Sequence, residues 1–123
     1  MKLVIAGSRT LKINTVDMSH ILTLFGLNRE LKEIISGGAQ GVDTIAEEMA
    51  KSRGYNITVM HADWEFYGLR AGPIRNAKMA VAGDALLLIW NGSSSGSRNM
   101  KEQMLKLKKP VYEIIIKDYN VVR

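Results

Sequence analysis

The sequence predicts an α/β fold, a Rossmann-like three-layer sandwich with a mostly parallel five-stranded sheet, in a single domain spanning residues 1–123. Three observations carry this. Short apolar runs of strand length alternate with segments of helical periodicity, the pattern of βαβ units whose parallel sheet is covered on both faces. Glycine clusters punctuate the transitions, and no repeat, low-complexity stretch or linker interrupts the chain. A length of 123 residues with 46% hydrophobic content suits one domain that buries roughly two-thirds of its unfolded surface.

Lys2–Ala6 is a brief apolar run ending at Gly7, as expected of a strand buried on both faces. Ile13–Phe25 reads as the first helix, with Val16, Ile21, Leu24 and Phe25 on its apolar side and Gly26 as its stop. Glu33–Ser36 is a second strand, cut off by Gly37-Gly38. Val42, Ile45, Ala46, Met49 and Ala50 then fill the i, i+3, i+4, i+7, i+8 template of an amphipathic helix that closes at Gly54. Asn56–Met60 makes a third strand and His61–Gly72 a polar-aromatic loop. Pro73 suits the first position of a third helix, where its missing N–H has no intrahelical partner to lose, and Gly83 ends that helix after Ala82. Asp84–Trp90 is the most apolar run and is expected to be the central strand. Asn91–Asn99 is a Gly/Ser loop. Met100, Met104 and Leu107 mark a face of the last helix, Pro110 closes it, and Val111–Ile116 is the fifth strand. The final seven residues give no readable element.

Composition removes several classes of function. With no Cys, there is no disulfide scaffold, thiolate zinc site or nucleophilic cysteine. His20 and His61 are the two imidazoles, too few for a histidine metal centre, so no metal and no cofactor is expected. No apolar run approaches the roughly 18 residues of a membrane span, and the opening MKLVIAGSR is not a signal peptide. The expectation is a soluble cytoplasmic protein with no membrane partner. Seventeen Lys and Arg against 12 Asp and Glu give +5. Residues 1–62 carry seven bases and six acids, residues 63–123 ten and six, and within Arg98–Lys109 five bases face the single acid Glu102. Such a run is either a solvated helix face or a phosphate-binding one.

In open α/β sheets ligands bind beyond the carboxyl ends of the strands. There the sequence places Gly7-Ser8-Arg9-Thr10, Gly37-Gly38-Ala39-Gln40-Gly41, and Asn91-Gly92-Ser93-Ser94-Ser95-Gly96-Ser97. Glycine lets backbone N–H groups curl around an anion, and the following helix aims its free N–H groups at the same point. Short glycine-rich βα turns also arise without any ligand. Neither G-x-G-x-x-G nor G-x-x-x-x-G-K-[ST] occurs, so an NAD dehydrogenase or P-loop NTPase is unsupported. Arg75, two residues past Pro73, is expected in the first helical turn, where a cation is disfavoured unless an anion is bound. The competing reading pairs it with Asp63, Glu65 or Asp84. Trp64 or Tyr67 could stack on a base, or pin their loop to the core. Asp43 can stabilise the start of its own helix or face a ligand. His61 receives no role.

These segments together resemble the SLOG superfamily, named for its Smf/DNA-processing-protein and Lonely-guy branches, and most closely the small stand-alone YspA-type proteins related to YpsA. The resemblance lies in IAGSRT (Ile5–Thr10), IISGGAQGVDTIAEEMA (Ile34–Ala50), ADW (Ala62–Trp64), AGPIRNAKMA (Ala71–Ala80) and DALLLIWNGSSSGS (Asp84–Ser97). It implies a Rossmann-like domain that binds a nucleotide or nucleotide-derived small molecule at the strand carboxyl edge, often as a homo-oligomer. It implies ligand contacts from Gly7, Ser8 and Arg9, from Gly37, Gly38, Ala39, Gln40 and Gly41 with Asp43, from Arg75 and Asn76, and from Gly92, Ser95, Gly96 and Ser97. The Lonely-guy branch implies a phosphoribohydrolase. Here Arg75 matches its arginine and Gly96-Ser97 resembles its Gly-Thr, but Asn76 replaces its lysine and Asn99 and Met100 stand where its glutamates belong. Cleaving an N-glycosidic bond needs a carboxylate. The nearest are Glu102, off register, and Glu47 or Glu48 from another helix, so catalytic residues beyond Arg75 stay unassigned and enzymatic activity is open. The DNA-processing branch shares the Gly-Ser-Arg loop and the Ser36–Asp43 stretch and implies single-stranded DNA binding, for which the basic Arg98–Lys109 segment could supply backbone contacts.

Overall fold

In a computed structural model, which describes residues 1–117, the chain forms β1 (Lys2–Gly7), α1 (Thr15–Leu24), β2 (Glu33–Ser36), α2 (Val42–Arg53), β3 (Asn56–Val59), α3 (Trp64–Tyr67), a 3-10 turn (Gly68–Arg70), α4 (Ala71–Ala82), β4 (Ala85–Trp90), α5 (Ser95–Lys106) and β5 (Val111–Ile115). From residue 118 onward the tail read without an element lies outside the described residues. The five strands form one sheet in the order β3-β2-β1-β4-β5, every pairing parallel. Residues alternate across it. Leu3, Ile5, Ile34, Leu87 and Ile89 meet Met18 and Leu22 of α1 and Val42, Ala46, Met49 and Ala50 of α2. Val4, Ala6, Ile35, Leu86, Leu88 and Trp90 meet Met79 and Ala80 of α4 and Met100 and Met104 of α5. Two helices therefore cover each face, and the sandwich has three layers.

The order of the strands puts the site in place. The chain runs outward from β1 to β2 and β3, then crosses to β4 on the other side of β1. The turns leaving β1 and β4 diverge at that reversal, which opens a crevice at the carboxyl edge.

Several expectations are corrected. β1, not β4, is the middle strand. The strong apolarity of β4 reports that all six of its residues are buried, a property an off-centre interior strand shares. Within α1 the buried residues are Met18 and Leu22, with Ile21 and Phe25 packed beside them, while Val16 and Leu24 point to solvent. Those two lie on the opposite side of the helix from Met18, so hydrophobicity alone mis-assigned its inner face. His61–Gly72 is not a loop. Asp63 caps α3 by accepting the Phe66 N–H at 3.1 Å, the 3-10 turn follows, and α4 begins at Ala71. Pro73 is thus the third residue of α4, still among the N–H groups that have no intrahelical acceptor. α5 begins inside the predicted Gly/Ser loop, at Ser95, and Leu107 is exposed because the helix has already ended.

Candidate functional site

A cleft of about 680 Å3 opens at the carboxyl edge between the β1 and β4 turns. Two close approaches shape it. Gly7 passes against the Ile89 carbonyl so tightly that a Cβ would collide with it. Ser8 then joins the turns: its N–H donates to the Ile89 carbonyl at 3.2 Å and its Oγ accepts the Asn91 N–H at 3.0 Å. Gly41, with φ of 74°, sets α2 against the β1 turn, where a Cβ would lie 2.5 Å from the Arg9 carbonyl oxygen and 2.6 Å from that of Ser8.

The loop after β2 is built around two acids. Ser36 Oγ donates to Glu47 Oε2 at 2.8 Å and accepts the Gly38 N–H at 3.2 Å. Asp43 Oδ2 accepts the Ala39 N–H at 3.2 Å. Asp43 is buried, although it sits in the first turn of α2. Burial pushes its carboxyl up to about 6, the Glu47 charge adds to this, and the Ala39 N–H, the Arg75 guanidinium and the Gly37 N–H oppose it.

Arg75, the fifth residue of α4 and a turn later than expected, brings its guanidinium over Gly37 near the Asp43 carboxyl. None of Asp63, Glu65 and Asp84 pairs with it: Asp63 caps α3 and Asp84 accepts the Lys2 N–H at 2.7 Å. Instead Nη1 donates to the Gly37 carbonyl at 2.6 Å and the Met60 carbonyl at 3.5 Å, and Nε donates to Asn76 Oδ1 at 3.0 Å. The Asn76 amide donates in turn to Asn99 Oδ1 at 3.0 Å and the Gly96 carbonyl at 3.3 Å, tying α4 to α5. Three protein acceptors thus fix the plane of the guanidinium, and among the described residues Nη2 has none. Desolvation lowers the Arg75 pKa from its ordinary value, Asp43 counteracts this, and Arg9 adds to it as a like charge.

The third contribution is the start of α5. Asn91 Oδ1 accepts the N–H groups of Ser93 and Ser94 at 2.9 and 3.1 Å, and Ser94 Oγ accepts that of Ser97 at 3.4 Å. The N–H groups of Ser95 and Gly96 have no acceptor among the described residues, and both residues line the cleft.

Of the residues singled out from sequence, Gly7, Ser8, Arg9, Ala39, Asp43, Trp64, Arg75, Asn76, Ser95, Gly96 and Ser97 line this one cleft. Gly37, Gly38, Gln40, Gly41 and Gly92 do not. Gly37 lies beneath Arg75, Gly38 against His61, and Gly41 against the β1 turn. Trp64, half-exposed, leans over Gly72 at the cleft rim and is not pinned into the core. The wall residues Thr10, Asn91 and Ser94 belong to the loops expected at the strand ends, Leu69 and Met79 carried no distinguishing sequence signal, and Asn99 stood out as the replacement of a glutamate. Glu102 is exposed and absent from the wall. Among the described residues no group of three or more acids and histidines is placed to hold a metal ion, and no helix is long and apolar enough to cross a membrane.

The basic segment is largely committed within the fold. Lys101 pairs with Glu113 at 2.8 Å. Lys109 Nζ donates to the carbonyls of Ala80, Val81 and Gly83 at 2.7, 3.0 and 2.7 Å, closing the end of α4. Arg98 donates to the Gly92 carbonyl at 3.2 Å and lies 6.0 Å from the Trp90 ring centre.

No established family profile matches the chain. It is 33% identical over 116 residues to the Gene 61 protein of Mycobacterium phage D29, covering 89% of this chain and 93% of that protein. Its fold is shared with DNA processing protein A (DprA) from Streptococcus pneumoniae, with a TM-score of 0.73 and 21% identity over 97% of this chain. The match spans 52% of the DprA chain, about half its length. That shared architecture is the one the SLOG resemblance implied.

Proposed function

The chain belongs to the family of the Gene 61 protein of Mycobacterium phage D29, and from that premise we propose that it binds a nucleotide or nucleotide-derived small molecule at the carboxyl edge of its sheet, as a sensing or sequestering domain of SLOG type. The observation that carries this is the charge balance of the cleft. Two guanidinium groups, Arg9 and Arg75, and the free N–H groups of Ser95 and Gly96 face a space in which Asp43 is the one carboxyl among the described residues, so the donors and positive charges outnumber the negative. A phosphate relieves the repulsion between the two arginines and takes up the Nη2 donors of Arg75. The volume lies within the roughly 300–1,000 Å3 of small-molecule sites, and Trp64 offers a face to a base at its rim. Assembly into a homo-oligomer, of the YspA type, is part of the same proposal.

A thermal-shift panel of AMP, ADP-ribose, NAD and cyclic nucleotides tests it. At least one member raises the melting temperature of the wild type and leaves Arg75→Ala and the exposed-site variant Arg9→Ala unmoved. A panel with no such member removes the support for the reading. Light scattering reads the oligomeric state.

One observation favours a second reading, N-glycosidic hydrolysis of a nucleoside monophosphate or NAD-like compound. Asp43 is a carboxyl in the cleft whose pKa burial raises to about 6, toward the working range of an acid-base group. Free base released by the wild type and not by Asp43→Asn supports it, and no release at high protein concentration counts it out. For single-stranded nucleic acid, the DprA-like fold is compatible, but the internal bonds of Arg98, Lys101 and Lys109 leave Lys106 and Lys108 as that segment's amines for a phosphate backbone.

A further inference from the structure

Arg75 borders two cavities. The second, of about 340 Å3, lies on the far side of α4 from the cleft and is walled by Met60, His61, Asp63, Tyr67, Ala71, Ile74, Arg75 and Lys78. Its α4 residues, Ala71, Ile74, Arg75 and Lys78, follow the i, i+3, i+4, i+7 spacing of one helix face. Gly72, Pro73, Asn76 and Met79 turn to the cleft. Arg75 sits on the ridge between these faces, so its side chain is a shared wall.

The charges of the second cavity are unbalanced. Among the described residues Asp63 is its one carboxyl, and Oδ1 of that group is engaged by the Phe66 N–H. Against it stand Arg75 and Lys78, with the His61 imidazole alongside. Among the described residues neither Lys78 nor His61 has a side-chain hydrogen bond or ion-pair partner. Gly38 joins this cavity to the loop after β2: a Cβ there would come within 2.7 Å of the His61 ring, so that ring packs directly on the loop backbone.

We propose that this cavity is a second anion subsite, bordering the cleft at Arg75, and that the ligand carries two adjacent phosphate groups, the first in the cleft and the second reaching past the edge of the Arg75 guanidinium toward Lys78. The inference rests on the nucleotide-binding reading and narrows its substrate class to nucleoside diphosphates and pyrophosphate-bridged nucleotides. Lys78 supplies the second site's cation and His61 a ring donor, while the held guanidinium of Arg75 binds the first phosphate and adds its positive charge to the second site.

Titration calorimetry of AMP, ADP and ADP-ribose on wild type, Lys78→Met and His61→Ala tests this. ADP and ADP-ribose distinguish a terminal second phosphate from a bridging one. The expected result is that at least one of them binds about tenfold tighter than AMP, and that Lys78→Met removes most of that gain while AMP affinity stays constant, as befits one exposed charge pair with a phosphate. Binding of AMP with no gain from the second phosphate, or a gain untouched in both variants, overturns the inference and leaves the nucleotide reading standing. Failure of every nucleotide to bind overturns both. Because Lys78 and His61 are exposed, both variants fold and the comparison can be read.

Discussion

Replacing Asp43 with asparagine should make the protein more stable at neutral pH and flatten its stability profile in mild acid. The carboxyl is buried and its pKa in the folded state is about 6, against 3.8 for the free side chain. A raised folded pKa means that the native state holds the proton more tightly than the unfolded one. The stabilisation is fully present below about pH 4 and is lost as pH rises through about 6. Two pKa units correspond to about 3 kcal/mol, a large fraction of the roughly 5–15 kcal/mol that holds a domain of this kind together. Asparagine keeps an oxygen for the Ala39 N–H and carries no charge to desolvate. Urea denaturation of both proteins between pH 4 and pH 7.5 measures the effect, as the difference between the two stability curves. That difference isolates Asp43, because Glu113, whose pKa is lowered chiefly by its hydrogen bond from Lys101, contributes with the opposite sign in both proteins and cancels. Wild-type and Asp43→Asn curves running parallel over that range would refute the account of the buried carboxyl.

Two further predictions separate structural from binding roles. Gly41→Ala forces a Cβ into the Ser8 and Arg9 carbonyls at a positive φ, whereas Gly54→Ala, also at positive φ, meets nothing within 4 Å. The first should cost more than about 2 kcal/mol and the second about 1 kcal/mol in chemical denaturation, and equal costs would contradict the packing described for the β1 turn. Lys109→Met should cost about 1–3 kcal/mol by leaving the three carbonyls at the end of α4 without their donor, while Lys106→Met stays within about 0.5 kcal/mol of wild type. The same melting curves, run in low and high salt, tell whether the basic segment acts through the fold.

What could be read from the sequence was what depends on local pattern. α2 has an unbroken amphipathic template and Gly54 in the left-handed cap, and both survive in the structure. The strands are short apolar runs bounded by glycine and appear within about a residue of their expected limits. α3 is four residues long, too short for periodicity to register, so its cap residue Asp63 reads from sequence as an ion-pair candidate for Arg75. Arg75 drew notice for a reason the structure replaces. Its position is the second turn of α4, and what marks it out is a guanidinium held by Gly37, Met60 and Asn76, with no acceptor for Nη2 among the described residues. Those acceptors come from three separate segments, and no spacing rule connects them. The destination of the Lys109 side chain is equally long-range: charge counting sees a basic run, and only packing of α5 on α4 shows that the amine closes a helix end.

The neutral pair Asn76–Asn99 explains how the cleft keeps its charge for a ligand. A buried side chain beside a guanidinium must satisfy its own polar atoms, and an acid at either position would do so by neutralising Arg75. The amide of Asn76 instead accepts from Arg75 Nε and passes its own donors to Asn99 Oδ1 and the Gly96 carbonyl. It orients the guanidinium and fixes α5 without adding a counter-charge. Asp43, the one carboxyl among the described residues of the cleft, is held outside ion-pair distance of Arg75, and burial raises its pKa to about 6. The guanidinium is therefore preorganised, and among the described residues no carboxylate lies within ion-pair distance of it, so an incoming anion meets a fixed donor with no bonded counter-ion to displace.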